Sequence, residues 1–174
     1  MDEPRFAELL KSGRAEVPLF VTDPDTGIGL KAKLDWLAPT CTLDIKTFSA
    51  TRGKPISRAV TDAIWYEHYY RQAYFYSMVR ALAEGNKKVS GAQTAPTFIL
   101  AFVESEEPHE VRIRELRPKS GGEVSLLWER ARLEVRDMIR LYASCVEKFG
   151  NEPWRTNQEV DPLLDEEIKA LAFT

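Results

Sequence analysis

Cysteine and histidine are scarce in this chain, with two of each among 174 residues. Cys41 and Cys145 lie far apart, and no histidine pair near either makes a metal-binding spacing, so both read as ordinary buried thiols. Two thiolates also fall short of the four that usually hold an iron–sulfur cluster, which excludes a four-cysteine cluster within the chain. No run of about 18 apolar residues occurs. The opening MDEPRFAELLKSGR lacks the basic-then-apolar order of a secretory signal. A soluble, cytoplasmic protein with no membrane contact is therefore expected. Internal repeats and low-complexity stretches are missing as well, and the net charge of −3 gives no global sign of nucleic-acid binding.

What is present suits one folded unit. At 44% hydrophobic and 29% charged, the chain can build its own core, and residues 1–174 read as a single domain. The average charge hides a division. Between Lys31 and Arg58 six cations face two anions, a local +4, whereas beyond Gly150 six anions face two cations, a local −4. Residues 151–174 are thus expected to form a loosely packed acidic tail. Charge alone leaves open a solvated sheet edge beside an acidic tail.

Periodicity sketches the elements. Arg5 to Leu10 is compatible with a short helix, and EVPLFVT from Glu16 with a strand entering the turn DPDTG, where Pro24 and Gly27 suit the geometry. IGLKAKLDWLA alternates Ile28, Leu30, Ala32, Leu34 and Trp36 against Gly29, Lys31, Lys33 and Asp35, a strand with one buried face. CTLDIKTF follows, with Cys41, Leu43 and Ile45 on one side and Thr42, Asp44 and Lys46 on the other. A helical region from Pro55 to Glu84, closed by Gly85, is too apolar all round between Ile64 and Met78 to be one straight helix. PTFILAFVES and HEVRIREL read as two more strands around the turn EEPHE. A helix from Ser125 to Phe149 carries Leu127, Ala131, Val135, Met138, Tyr142, Val146 and Phe149 at three- and four-residue steps, a stripe expected to be core. The order predicts an α+β fold, a mixed central β-sheet flanked by helices.

Two carboxylates and an ammonium fall where these strands should pack. A hairpin would bring Asp35 onto the face of Asp44 and Lys46, and like charges on a sheet face are costly. A divalent cation offsets that cost, since aspartate oxygens are hard ligands suited to Mg²⁺ or Mn²⁺ and Mg²⁺ takes only one or two carboxylates while keeping several waters. A neighbouring lysine can position or help deprotonate a water and stabilise charge on a phosphate. The alternative from residue types alone is a pair of hairpin-end aspartates with Lys46 as a surface salt-bridge partner.

The segment GLKAKLDWL followed by TLDIKT resembles the active-site hairpin of the PD-(D/E)xK nuclease superfamily, with Asp35 matching the first aspartate and Asp44 and Lys46 the D/E-x-K triplet. Downstream, YYRQAYFYSM resembles the Q-x-x-x-Y signature of the RecB-like branch through Gln72 and Tyr76, four apart and so on one helix face. The combination is most similar to RecE-type exodeoxyribonucleases of phage and prophage, relatives of lambda exonuclease, over about Glu16 to Met78. The resemblance implies a restriction-endonuclease-like core and a DNA exonuclease acting in recombination. It implies Mg²⁺ or Mn²⁺ held by Asp35, Asp44 and the Ile45 carbonyl, and Lys46 orienting the attacking water. Gln72 and Tyr76 would support the site or contact DNA, although Tyr76 equally suits a buried aromatic role. Lys31, Lys33, Arg52, Lys54 and Arg58 would contact phosphates. Relatives form rings, which raises a homo-oligomer, and a single-strand annealing protein is the partner such a setting implies.

One departure stands out. The family carries an acidic residue, often with a histidine nearby, on a helix before the first strand, and here only about fifteen residues precede that strand. Glu16 and, less well placed, Glu8 are the acids available as a further metal ligand, and His68 and His109 read as packing and turn residues. The shortened front raises an alternative: a catalytically inactive or incomplete nuclease-fold protein that serves as a DNA-binding or recombination-partner module.

Overall fold

Each apolar-alternating segment forms a strand in the computed structural model, which describes residues 3–49, 55–85, 95–120 and 123–150. After a first helix, α1 (Glu3–Leu9), come β1 (Arg14–Thr22), β2 (Gly29–Leu37) and β3 (Cys41–Phe48). Two helices, α2 (Ile56–Tyr66) and α3 (Tyr69–Ala83), carry the chain back to β4 (Thr97–Glu104), which is followed by β5 (Val111–Leu116). A two-stranded ribbon, β6 (Lys119–Ser120) and β7 (Glu123–Val124), which periodicity does not signal, precedes α4 (Leu126–Phe149). The five-stranded sheet runs β1-β2-β3-β4-β5, with β3 and β4 parallel and the other neighbours antiparallel. It is the mixed sheet of an α+β fold. The acidic tail, Arg52 and Lys54 lie outside the described residues. Among those residues no helix is long and apolar enough to cross a membrane.

Two cores sandwich the sheet. On one side Leu30, Ala32 and Leu34 of β2 and Phe98, Leu100 and Phe102 of β4 pack with Tyr74 and Met78 of α3 and Trp128, Ala131 and Val135 of α4. On the other, Cys41 and Leu43 of β3 meet Ile99, Ala101, Val111 and Ile113, with Phe6, Leu9 and Leu10 at the N-terminal helix closing the layer. The break between α2 and α3 falls at His68, whose backbone is left-handed at φ 55°, so the all-round apolar segment is indeed two helices. His109 also takes a left-handed turn conformation, with Nδ1 3.1 Å from the Glu104 carbonyl oxygen.

α4 starts where Ser125 accepts a hydrogen bond from the Trp128 amide, and Gly150 follows its last turn. Its stripe is core only in its first half. Ala131 and Val135 are buried, but Met138, Tyr142 and Phe149 are 46%, 50% and 45% exposed, which corrects the expectation of a continuous buried stripe. The buried face runs through Trp128, Ala131, Val135 and Ile139 instead, so Met138 and Tyr142 fall beside it rather than on it. Arg136, also on α4, ties the helix to the β1–β2 turn by donating to Asp23 at 2.6 Å and to Asp25 at 2.8 Å. Burial opposes ionisation of Asp23, yet Arg136 and Thr26 together hold its carboxyl below the ordinary aspartate value.

Candidate active site

The β2–β3 hairpin opens as a fork. Its ladder holds at Trp36↔Leu43 and Leu37↔Thr42. One further step of that register would set Asp35 opposite Asp44, but there the ladder stops, and the Asp35 side chain takes over by accepting from the Ile45 amide through Oδ2 at 2.9 Å. The neighbouring strand is distorted at the same level. Glu16 stands across from Asp35 in the β1–β2 register, between Ala15↔Trp36 and Val17↔Leu34, with a left-handed φ of 57°. Here β2 changes side: Leu34 belongs to the helix-covered core and Trp36 to the core beneath α1. Strict alternation had placed the two together, and the distortion at Asp35 is the physical reason they part.

Asp44 sits on the central strand, paired in register with Leu100 of β4, and is 1% exposed. Gln72 donates through Nε2 to its Oδ1 at 2.6 Å, and the Lys46 ammonium lies 2.7 Å from Oδ2. That ammonium holds Oδ2 as an ion pair. Burial pushes the Asp44 carboxyl above the ordinary aspartate range; Lys46 and Gln72 pull it back only in part, and the Asp35 charge raises it again. Lys46 is itself mostly buried, with its Nζ 4.6 Å from the centre of the Tyr69 ring.

The structure thus gathers Asp35, Asp44, Ile45, Lys46 and Gln72 around one fork. Tyr76, one turn beyond Gln72, packs edge-on against Phe98 at 6.3 Å and tilted against Phe75 at 6.2 Å. Glu16 pairs with Lys33, and exposed Glu8 pairs with Lys11. Lys31 lies 5.6 Å from the exposed Phe20 ring, and Arg58 pairs with Asp62 at 3.0 Å along α2.

The donor set fits one hydrated divalent cation. Two carboxylates converge, and the buried one already draws a cation, the Lys46 ammonium 2.7 Å from its Oδ2, so the fork offers hard anionic oxygens of the kind a divalent cation takes. Among the described residues no group of three or more His, Cys, Asp or Glu side chains comes together, so a cation here would keep much of its water shell. Mg²⁺ and Mn²⁺ tolerate that arrangement.

Sequence reasoning overlooked two residues. Tyr69 supplies the ring beneath Lys46. Arg80 is 4% exposed and donates to the carbonyls of Ala38 at 3.0 Å and Cys41 at 2.8 Å and to the Thr42 hydroxyl at 3.0 Å, gripping the turn that joins β2 to β3. The signal was available: Gln72, Tyr76 and Arg80 recur every four residues on α3. Reading the stripe one step further would have reached Arg80.

A family model described as a PDDEXK-like domain of unknown function (DUF3799) matches residues 1–158. Two solved structures align with the chain. One, a candidate exonuclease from Eubacterium rectale, aligns at 17% identity with a TM-score of 0.61, covering 97% of this chain and 60% of its own. The other, SSO0001, aligns at 17% identity with a TM-score of 0.41, covering 82% of this chain and 53% of its own. The chain therefore spans about three-fifths of the length of that exonuclease-like structure. No curated protein matches it.

Proposed function

The chain belongs to the PDDEXK-like family whose model spans residues 1–158, and from that premise we propose that it is a metal-dependent DNA nuclease, an exonuclease acting on the ends of linear DNA. The observation that carries this reading is the convergence of Asp35, Asp44, Lys46 and Gln72 at the β2–β3 fork, with the Asp44 carboxylate buried between Lys46 and Gln72. A phosphodiesterase needs such an arrangement: anionic ligands held apart by backbone, and a cation positioned beside them.

Each residue then has a distinct task. Asp35 and Asp44, with the Ile45 carbonyl, would hold a Mg²⁺ or Mn²⁺ ion, which when bound supplies Lewis-acid stabilisation of the phosphate charge. Gln72 fixes the Asp44 carboxylate by its hydrogen bond to Oδ1. Lys46, seated over Tyr69, orients the attacking water and faces the negative charge that builds on the phosphate. Tyr76 stiffens the α3 face that carries Gln72 by packing on Phe98. Lys31, Lys33, Arg52, Lys54 and Arg58 supply sequence-independent attraction to the DNA backbone. Recombination of phage or prophage DNA, with a ring-shaped oligomer and an annealing partner, is the biological setting that accords with the sequence resemblance.

One observation favours the non-catalytic alternative. The Lys46 ammonium is already paired with Asp44, an arrangement that would equally serve a structural clamp in a DNA-binding module. Degradation of end-labelled linear duplex in Mg²⁺, Mn²⁺ or EDTA separates the two. The nuclease cleaves only with metal, and Lys46→Ala lowers the rate by roughly 10²–10⁴-fold while the metal-induced rise in melting temperature and the affinity for DNA persist. A folded wild type that binds duplex without cutting it in either metal would establish the alternative. Unfolding of Lys46→Ala would reduce Lys46 to a packing role.

A further inference from the structure

Lys46 has two partners of different kinds. Its ammonium lies 2.7 Å from the Asp44 carboxylate and 4.6 Å from the centre of the Tyr69 ring, with the side chain 19% exposed. That ring is held from both sides. Tyr69 is the first residue of α3 and directly follows His68, whose left-handed backbone turns the chain between the two helices. A residue other than glycine held at φ 55° is uncommon and persists where surrounding contacts fix it. Here His68 Nδ1 lies 3.2 Å from the Tyr70 hydroxyl, which donates at 3.0 Å to Glu134 of α4. On the sheet side the Tyr69 ring packs tilted against Phe102 at 6.1 Å. Phe102 is in turn the register partner of Lys46 on β4 and the edge-on neighbour of Phe48 at 6.4 Å.

We propose that Tyr69 is a positioning residue for Lys46, and that its ring, rather than Asp44, keeps the ammonium in place while the site works. The proposal rests on the nuclease reading of the fork. On that reading Asp44 gives its oxygens to a divalent cation, so its pull on Lys46 weakens and the ammonium stands beside a second positive charge. A lysine on its flexible four-carbon stem is then free to swing towards solvent. The face of an aromatic ring attracts an ammonium whatever the charge on Asp44, and does so most strongly where water is largely excluded. Tyr69 stands one turn before Gln72, so one face of α3 serves both the lysine and the buried carboxylate of the fork. The left-handed junction at His68 thereby gains a role, since it sets the first ring of α3 against the lysine instead of letting α2 run on.

Two measurements test this on Tyr69→Leu, which loses the ring, beside Tyr69→Phe, which keeps it; Tyr69→Met replaces the first variant if leucine is not tolerated. The first measurement needs no catalysis. The protons on the Lys46 carbon next to the ammonium should resonate upfield of those of other lysines because they lie against the ring, with the signal assigned by its absence in Lys46→Arg. That shift should persist on titration with Mg²⁺, remain in Tyr69→Phe and vanish in Tyr69→Leu. The second measurement is cleavage of end-labelled duplex at a temperature where every variant is folded. Tyr69→Leu should lower the maximal rate about tenfold with the half-saturating DNA concentration unchanged, and Tyr69→Phe should recover most of that loss. In a Lys46→Ala background Tyr69→Leu should lower the residual rate no further. An unshifted lysine signal, a shift that disappears in Mg²⁺, or losses that add fully to those of Lys46→Ala overturn the proposal. A wild type that cleaves at a rate indifferent to the ring removes this proposal and leaves the nuclease reading standing. A wild type that cleaves in neither Mg²⁺ nor Mn²⁺ removes the nuclease reading, and the role of Tyr69 in catalysis falls with it.

Discussion

Replacing Asp44 by Asn is expected to abolish metal-dependent cleavage while making the metal-free protein more resistant to heat. The loss of activity follows from removing a principal anionic ligand. Lewis-acid stabilisation of a phosphoryl transition state amounts to several kcal/mol, so the rate should fall on the order of 10³-fold or more. The gain in stability follows from burial. Asp44 is 1% exposed, and its carboxyl is held above the ordinary value because loss of hydration outweighs the help of Lys46 and Gln72. The folded state therefore binds the Asp44 proton more tightly than the unfolded chain does. Its contribution to stability is complete below the ordinary aspartate pKa and is lost as pH rises through the raised one.

At neutral pH the neutral amide avoids that cost. A gain of about 1 kcal/mol, or roughly 2–4 °C in a chain of this size, is expected for Asp44→Asn in EDTA. The difference between variant and wild type should shrink as the pH falls toward the ordinary aspartate value, where the wild-type carboxyl also becomes neutral. Mg²⁺ or Mn²⁺ should reverse the order, raising the wild-type melting temperature and leaving the variant unmoved, since a ligand that binds only the folded state stabilises it by mass action. Thermal melts at pH 5 and pH 7.5, with and without metal, check all of this. A variant that melts below the wild type in EDTA at pH 7.5 would mean that the Lys46 pair outweighs burial, and the site would then be an ordinary ion pair.

Arg80→Met should cause the largest loss of stability. The side chain is buried, and its planar fork serves the carbonyls of Ala38 and Cys41 and the Thr42 hydroxyl at once, while Nε pairs with Glu84 at 2.7 Å. Methionine fills the volume but leaves those acceptors without a donor, at about 1–3 kcal/mol for each that water cannot reach. A total of about 3–5 kcal/mol is expected, which lowers the melting temperature by roughly 10 °C or more. Arg80→Lys should recover only part of this, because a single ammonium cannot span the same acceptors.

The Arg80 effect should reach function by way of position. Ala38 to Cys41 is the turn joining the strands of Asp35 and Asp44, so loosening it changes the spacing of the fork. At a temperature where Arg80→Met is still folded, its half-saturating Mg²⁺ concentration should rise and its maximal rate fall, with Arg80→Lys between the two. Melting curves and metal titrations of cleavage read these effects separately. A variant that melts early yet titrates like the wild type would confine Arg80 to stability.

The residues singled out by the PD-(D/E)xK resemblance come together at one fork because the motif is local. Asp44 and Lys46 are separated by one pleat of a single strand, and Asp35 lies one short turn away, so alternation and a hairpin suffice to bring them near. The helix stripe of Gln72 was equally visible. Its contact with Asp44 was not, because that depends on how α3 crosses the sheet. Trp36 marks the limit of alternation: a period-two pattern assumes an undistorted strand, and the irregular backbone at Glu16 and the ladder break at Asp35 send Trp36 to the other side.

By itself the sequence determined the α+β class, the five strands of the main sheet, the break within the Pro55–Glu84 helical region and the identity of the charged fork residues. Each of these is written in near-neighbour periodicity or in residue type. Only the tertiary structure decided that Asp44 is desolvated, that Arg80 grips the turn behind it, and that half of the α4 stripe is left open beside Gln72. The reason is the same in each case. Burial, register and helix crossing are set by segments far apart in the chain, and a one-dimensional pattern records which face is apolar without recording what covers it.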